Sequence, residues 1–109
     1  MSEHFYSKDA LAAMGKFAEL KGDLLSAFMN FNLKAFEEGS LDTKTKELIA
    51  IGCAHITQCP HCIDGHTRMA KEVGATDEEI AEAVGVGVAM SAGAAMAHAS
   101  IAMRALQDT

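Results

Sequence analysis

The sequence predicts an all-α fold, a compact bundle of about six helices, and three observations carry that expectation. Half of the residues are hydrophobic, with seven methionines, one proline and no tryptophan. Abundant Ala, Met, Glu and Lys with so little proline favour helix over sheet. Apolar residues recur at alternating three- and four-residue spacing, the period of a helix face. No segment alternates apolar and polar residues between hairpin turns, as a half-buried strand would.

The elements follow in order. A first helix is expected from about Ser7 to Leu20, with Leu11, Met14 and Ala18 on one face. Lys21-Gly22-Asp23 breaks it, and Asp23 is a suitable cap for the next. Leu24, Phe28, Phe31 and Ala35 form the apolar stripe of the second helix, and Gly39 suits its C-terminal end. Asp42 caps a third helix running through Leu48, Ile49, Ile51 and Ile56. Cys59 and Pro60 open a fourth, because the N–H that proline lacks would be unpaired in the first helical turn anyway. Gly74 ends that helix. Thr76-Asp77-Glu78-Glu79 has the spacing of a capping box, with Thr at the cap and Glu three residues on. It starts a fifth helix that places Ile80 and Val84 on one side. Ser91 is expected to cap a sixth, ending near Leu106.

A chain of 109 residues is the size of one domain, spanning residues 1–109. Its formal net charge is −6. Such a surface repels phosphate backbones, and no basic stripe offsets it, so nucleic acid is not an expected partner. The segment Met1 to Ala10 lacks a basic region followed by an apolar run, so a signal peptide is not expected and the cytoplasm is the default location. Ala83 to Met103 carries no Asp, Glu, Lys or Arg and is long enough to span a bilayer. It contains neither Leu nor Phe, however, and its Ala, Gly, Val and Ser make it weakly apolar. Tight packing inside the domain or between subunits is the expectation, not a membrane span.

The chemistry is concentrated in Cys59-Pro60-His61-Cys62-Ile63-Asp64-Gly65-His66. In a reducing compartment, C-x-x-C reads as catalytic or metal-binding. At helical pitch Cys59 and Cys62 differ by about 60° and Cys62 and His66 by about 40°, so all three share one face. Neighbouring turns put the two sulfurs within disulfide reach. The unpaired N–H groups of a helix N-terminus stabilise a thiolate, which is the form that attacks peroxides and disulfides. His66 can accept or relay a proton near neutral pH. A structural zinc site is the competing reading. Cys59, Cys62 and His66 would supply three ligands, and Cys53 or His55 a fourth.

The run Leu41-Asp42-Thr43-Lys44-Thr45-Lys46-Glu47-Leu48-Ile49-Ala50, then Gln58-Cys59-Pro60-His61-Cys62, then His66, then Gly74-Ala75-Thr76 and Glu78-Glu79-Ile80, resembles the alkylhydroperoxidase D-like branch of the carboxymuconolactone decarboxylase family. The resemblance covers roughly Leu41 to Met103. It implies an all-helical fold assembled as homotrimers or homohexamers. It also implies a role for Glu47, twelve residues before Cys59, in a proton relay with His66. Carried over, Cys62 is the attacking thiolate, Cys59 the resolving thiol, and His61 a residue that tunes the pair. Physical reasoning alone does not choose between the sulfurs. In other C-x-x-C proteins the first cysteine, nearest the helix end, is the nucleophile. Without the resemblance, Glu47 between Lys44 and Lys46 would read as a solvated carboxylate.

Other tempting residues have plainer readings. Cys53 points about 120° away from Glu47 on a straight helix and is expected to pack in the core. His55 is expected to cap a helix end, His98 to pack among alanines, and His4 to be solvated. Met90, Met96 and Met103 are expected to fill core gaps.

Three functions follow from this pattern. The first is a thiol-dependent peroxidase or thiol–disulfide oxidoreductase, acting on a peroxide or small disulfide, reset by a dithiol donor and needing no bound organic cofactor. The second is a lactone decarboxylase, which requires acid–base groups and an anion pocket but gives no reason for C-x-x-C. The third is a zinc-stabilised oligomer without catalysis.

Overall fold

The computed structural model describes Asp9 and residues 12–109. The expectations for His4, Ser7 and Leu11 fall outside the described residues. The rest of the chain is helical: α1 (Met14–Phe36), α2 (Thr43–Thr57), α3 (Pro60–Glu72), α4 (Asp77–Ala97) and α5 (Ala99–Gln107). The chain divides into two compact units, residues 1–46 and 47–109.

In the first unit, α1 is one helix with a kink where the sequence predicts two helices. Lys21 leaves the helical region at φ −141°, ψ 56°, beside Gly22, so the break falls where Lys21-Gly22-Asp23 puts it. The helix stops at Phe36, before Gly39, because Glu37 turns extended. The bend that follows is held by polar contacts. Thr43 N–H donates to the Glu38 carboxylate at 3.0 Å, and the Lys46 ammonium donates to the Glu37 carbonyl. Asp42 caps α2 as expected, accepting from Thr45 N–H at 2.8 Å. The hydrogen bonds from Thr45 hold the Asp42 carboxyl below its ordinary range. No residue of α1 is buried.

In the second unit a small core forms around Ile51 of α2, Ala70 of α3 and Ala75, with Leu48, Ile80, Ala83 and Val84 packed against it. The α2 and α4 helices touch backbone to backbone. A Cβ on Gly87 would lie 2.7 Å from the carbonyl oxygen of Gly52. Glycine at both positions permits that approach.

The turns of this unit match the sequence. Gly74 adopts φ +96°, a conformation glycine takes without steric penalty, and Ala75 N–H then closes α3 onto the Ala70 carbonyl at 2.9 Å. Thr76 and Glu79 form the reciprocal capping box at the start of α4.

The expected sixth helix start at Ser91 is not observed, and α4 runs through Ser91 and Gly93 to Ala97. Alanine neighbours sustain the helix there, and neither residue supplies a cap. The step comes instead at His98, which is both the last cap of α4 and the first of α5. Counted as one rod, Asp77–Gln107 is long and apolar enough to cross a membrane. The described residues thus hold five helical segments in four rods, not six helices.

Several expected core residues lie on the surface of the chain. His98 and Cys53 are exposed. So are Met90, Met96 and Met103. The small core is filled by Ile51 of α2, Ala70 of α3 and Ala75 of the α3–α4 turn, leaving these positions outside it.

Candidate functional site

The site lies where α2 faces α3. The Glu47 side chain is fully buried near the start of α2. One of its oxygens, Oε1, is 2.6 Å from His66 Nδ1 on α3. The other, Oε2, is buried without a hydrogen-bond partner among the described residues. An ionised carboxylate can only accept, so opposite it Nδ1 carries a ring proton, while Nε2 accepts in the neutral ring and donates in the imidazolium. His66 is 22% exposed, so the imidazole bridges a buried carboxyl group and the surface. This arrangement replaces the solvated reading of Glu47. A buried carboxylate at hydrogen-bond distance from an imidazole is one in which a proton can be stored or passed.

The two cysteines stand at the other end of the α3 face. Helix α2 ends at Thr57. Gln58 then takes a left-handed conformation, φ 58°, and Cys59 N–H reaches back to the Ala54 carbonyl at 3.2 Å. This is the closing pattern of a helix C-terminus, with glutamine in the position usually held by glycine. The reversal delivers Cys59 as the N-cap of α3, with Pro60 in the first turn. The Cys59 sulfur accepts from Cys62 N–H at 3.3 Å.

The two thiols are therefore unequal. Hydrogen bonds from the Cys62 thiol and the Cys62 N–H, with a smaller contribution from His61 N–H, lower the pKa of Cys59. The same contact with Cys59, together with burial, raises that of Cys62. Both are half-buried free thiols. Cys62 and His66 lie one turn apart on α3, a spacing that places them on the same face of the helix. His61 is half-buried.

The remaining candidates are not drawn into this cluster. Cys53 is exposed on α2. His55 caps the end of that helix as expected, its Nδ1 2.8 Å from the Ile51 carbonyl. Among the described residues no three of His, Cys, Asp and Glu converge as a metal ion would require. The set Cys59, Cys62 and His66 therefore does not fit a closed zinc centre. On the far side of α3, Pro60, Ile63, Asp64, Thr67, Arg68 and Lys71 line an open groove. Its cations are engaged locally, Arg68 with Asp64 at 3.0 Å and Lys71 with Asp77 at 2.7 Å.

Two features had no clear signal in the sequence. The left-handed Gln58 could be suspected only from its place between a helix end and Cys-Pro. The Gly52–Gly87 crossing is a meeting of two helices that periodicity within either one does not reveal.

Comparison with known proteins gives this geometry a family. The sequence profile of the carboxymuconolactone decarboxylase family matches residues 22–105. The chain belongs to that family. The chain is 44% identical over 99 residues to an uncharacterized protein of the cox locus of Paracoccus denitrificans, covering 91% of this chain and 89% of the relative. It is 33% identical over 89 residues to an uncharacterized protein of Cupriavidus necator, with 82% and 79% covered. Among solved structures, a protein of Methanobacterium thermoautotrophicum superposes with a TM-score of 0.75 at 33% identity, over 83% of this chain and 98% of that one. The apo form of a carboxymuconolactone decarboxylase family protein from Legionella pneumophila superposes with a TM-score of 0.71 at 36% identity, over 93% and 90%. The all-helical family fold agrees with the sequence reading.

Proposed function

We propose that this family member is a thiol-dependent peroxidase or thiol–disulfide oxidoreductase. The observation that carries the reading is the buried Glu47 bound to His66 on the same helix face as the Cys59/Cys62 pair. A C-x-x-C pair at a helix start supplies the nucleophile, and the carboxylate–imidazole pair supplies a route for its proton. In the peroxidase cycle a Cys62 thiolate attacks a peroxide oxygen. The O–O bond breaks, the departing oxygen takes a proton through His66, and Cys62 becomes a sulfenic acid. The Cys59 thiolate then attacks the sulfenic sulfur to form the disulfide, and the hydroxide that leaves takes a proton from solvent and departs as water. A donor dithiol returns two electrons and restores both thiols. His61, between the two sulfurs, tunes them. No step requires an organic cofactor. A cytoplasmic location suits a pair that must be re-reduced.

Lactone decarboxylation would require cationic groups to receive substrate carboxylates. Arg68 and Lys71 lie away from the Glu47–His66 face and are paired with Asp64 and Asp77. That reading also leaves the cysteine pair without a task.

The test is a thiol count and peptide map after mild peroxide. Two of the three thiols should be lost to a Cys59–Cys62 disulfide, with Cys53 remaining free. Glu47→Gln and His66→Ala should each slow the reaction by about 100- to 10,000-fold, the usual contribution of one positioned base, with helicity unchanged. A main disulfide that includes Cys53, or an unchanged rate in both variants, would overturn the assignment.

A further inference from the structure

We infer that Cys59 is the sulfur through which the protein exchanges electrons with thiol and disulfide partners, so that mixed disulfides form on Cys59 and Cys62 is the sulfur that closes and opens the internal bond. The inference rests on the redox reading above and divides its labour between the two sulfurs.

The argument starts from the backbone. The Cys59 N–H is held by Ala54 and its sulfur by Cys62 N–H. These two bonds fix the thiol as the helix cap, where N–H groups and the helix dipole favour negative charge. Pro60 follows directly and contributes no N–H of its own. Of the two sulfurs, the capping Cys59 is the one whose thiolate the helix end and the Cys62 N–H stabilise, and the thiolate is the form that attacks a disulfide. The Cys59 thiol beside it and, to a lesser degree, burial raise the Cys62 thiol above its ordinary range. Its thiol needs a base before it can attack, and the partly exposed His66, backed by buried Glu47, lies one turn away on its face.

The exchange then balances. The Cys59 thiolate attacks one sulfur of a partner disulfide. A Cys59–partner S–S bond forms, the partner's own S–S bond breaks, and one partner thiolate leaves with the electron pair. Cys62 gives its proton to the His66–Glu47 pair and attacks the Cys59 sulfur. The mixed disulfide breaks, the second partner thiolate leaves, and Cys59–Cys62 is formed. The partner has gained two electrons and the pair has lost two. Run backward, a donor thiolate attacks Cys59, and Cys62, the poorer leaving group, departs with a proton from His66. A second donor thiol then releases Cys59 as the thiolate that the helix end stabilises.

The experiment uses oxidised glutathione as the disulfide probe on the full chain carrying Cys53→Ser, so that only the pair reports. To this background Cys62→Ser or Cys59→Ser is added. Serine at either place keeps a hydroxyl, so the cap survives in both. Intact mass and peptide mapping follow adduct formation, and ultraviolet thiolate absorbance follows titration. The Cys62→Ser protein should form its adduct on Cys59 at least about tenfold faster at neutral pH than the Cys59→Ser protein forms one on Cys62. Its thiolate should titrate below that of the Cys59→Ser protein. Adding Glu47→Gln should leave the Cys59 adduct rate unchanged while slowing closure of the internal disulfide in the protein that retains both cysteines. Equal rates, or faster reaction at Cys62, would overturn this division of roles while leaving the redox reading standing. If neither cysteine reacts faster than an exposed Cys53 in the natural chain, both readings fall.

Discussion

At the scale of single residues, Gln58 shows how the site is placed. A left-handed conformation costs an L-residue about 1–2 kcal/mol, and glycine is the usual choice where a helix closes this way. Gln58 bears that cost one residue before Cys59. The reversal it makes turns the chain from the end of α2 into the cap of α3, so the position of the cysteine sulfur depends on it. Replacing Gln58 with glycine should remove the strain. Glycine also gives the unfolded chain more freedom, which returns about 0.5–1 kcal/mol. A net gain in stability of about 0.5–1 kcal/mol is expected, read from the denaturant midpoint of the dithiol form. A loss of stability would mean that the glutamine side chain makes a compensating contact. Legibility varied at this scale. The capping roles of Asp42, Thr76 and Glu79 follow from local chemistry and were readable. The burial of Glu47 was not, because the partner that makes it tolerable, His66, lies nineteen residues away. The family motif, not the local sequence, pointed to it.

At the scale of elements, the helices were readable because their signals are local, whereas their joints depend on neighbours. Pro60 and Gly74 bracket α3 as expected, since a proline at the first turn and a glycine after the last act within a few residues. Ser91 and Gly93 are weak breakers, and α4 runs through them. The glycines of α4 differ for the same reason. Because the helix is unbroken, Gly85, Ala89 and Gly93 do share one side, and all three are exposed in the chain. The close approach belongs to Gly87, which meets Gly52 of α2. An alanine at 87 would push a methyl group against a backbone oxygen, which cannot swing aside as a side-chain tip can. Gly87→Ala should therefore cost about 1–3 kcal/mol, the usual range for overpacking. Gly85→Ala meets nothing within 4 Å and should be neutral or stabilising by up to about 1 kcal/mol through helix propensity. Urea unfolding of the two variants side by side checks the contrast. Equal effects would mean that the α2–α4 crossing is looser than the Gly52–Gly87 contact requires. Because α2 carries Glu47 and meets α4 at the Gly52–Gly87 crossing, Gly87→Ala should also slow peroxide reaction, whereas Gly85→Ala should not.

At the scale of the molecule, the chain has far more apolar surface than it covers. Among the described residues, four hydrophobic side chains are buried and twenty large ones are exposed, Phe31 at 70% and Met96 at 74% among them. A chain this short cannot easily enclose both the α1 stripe and the α4–α5 rod, and exposed apolar area on this scale marks a contact surface. A membrane would also cover the rod, whose length suffices. Its composition argues otherwise. The stretch from Ala83 to Met103 has no Leu or Phe, while its small residues suit close approach of another helix. We therefore propose that copies of the chain cover one another, as trimers or hexamers closed by symmetry. Sedimentation or light scattering at micromolar concentration, without detergent, should give a mass several times 11.5 kDa. Gly85→Glu or Ala89→Leu should lower that mass by placing charge or bulk on the small-residue side. Neither substitution touches the described core, so helicity should persist as assembly weakens. A folded monomer of natural sequence that retains full thiol reactivity would show that the exposed faces serve no contact between copies. Protein recovered only with detergent would instead assign the α4–α5 rod to a bilayer.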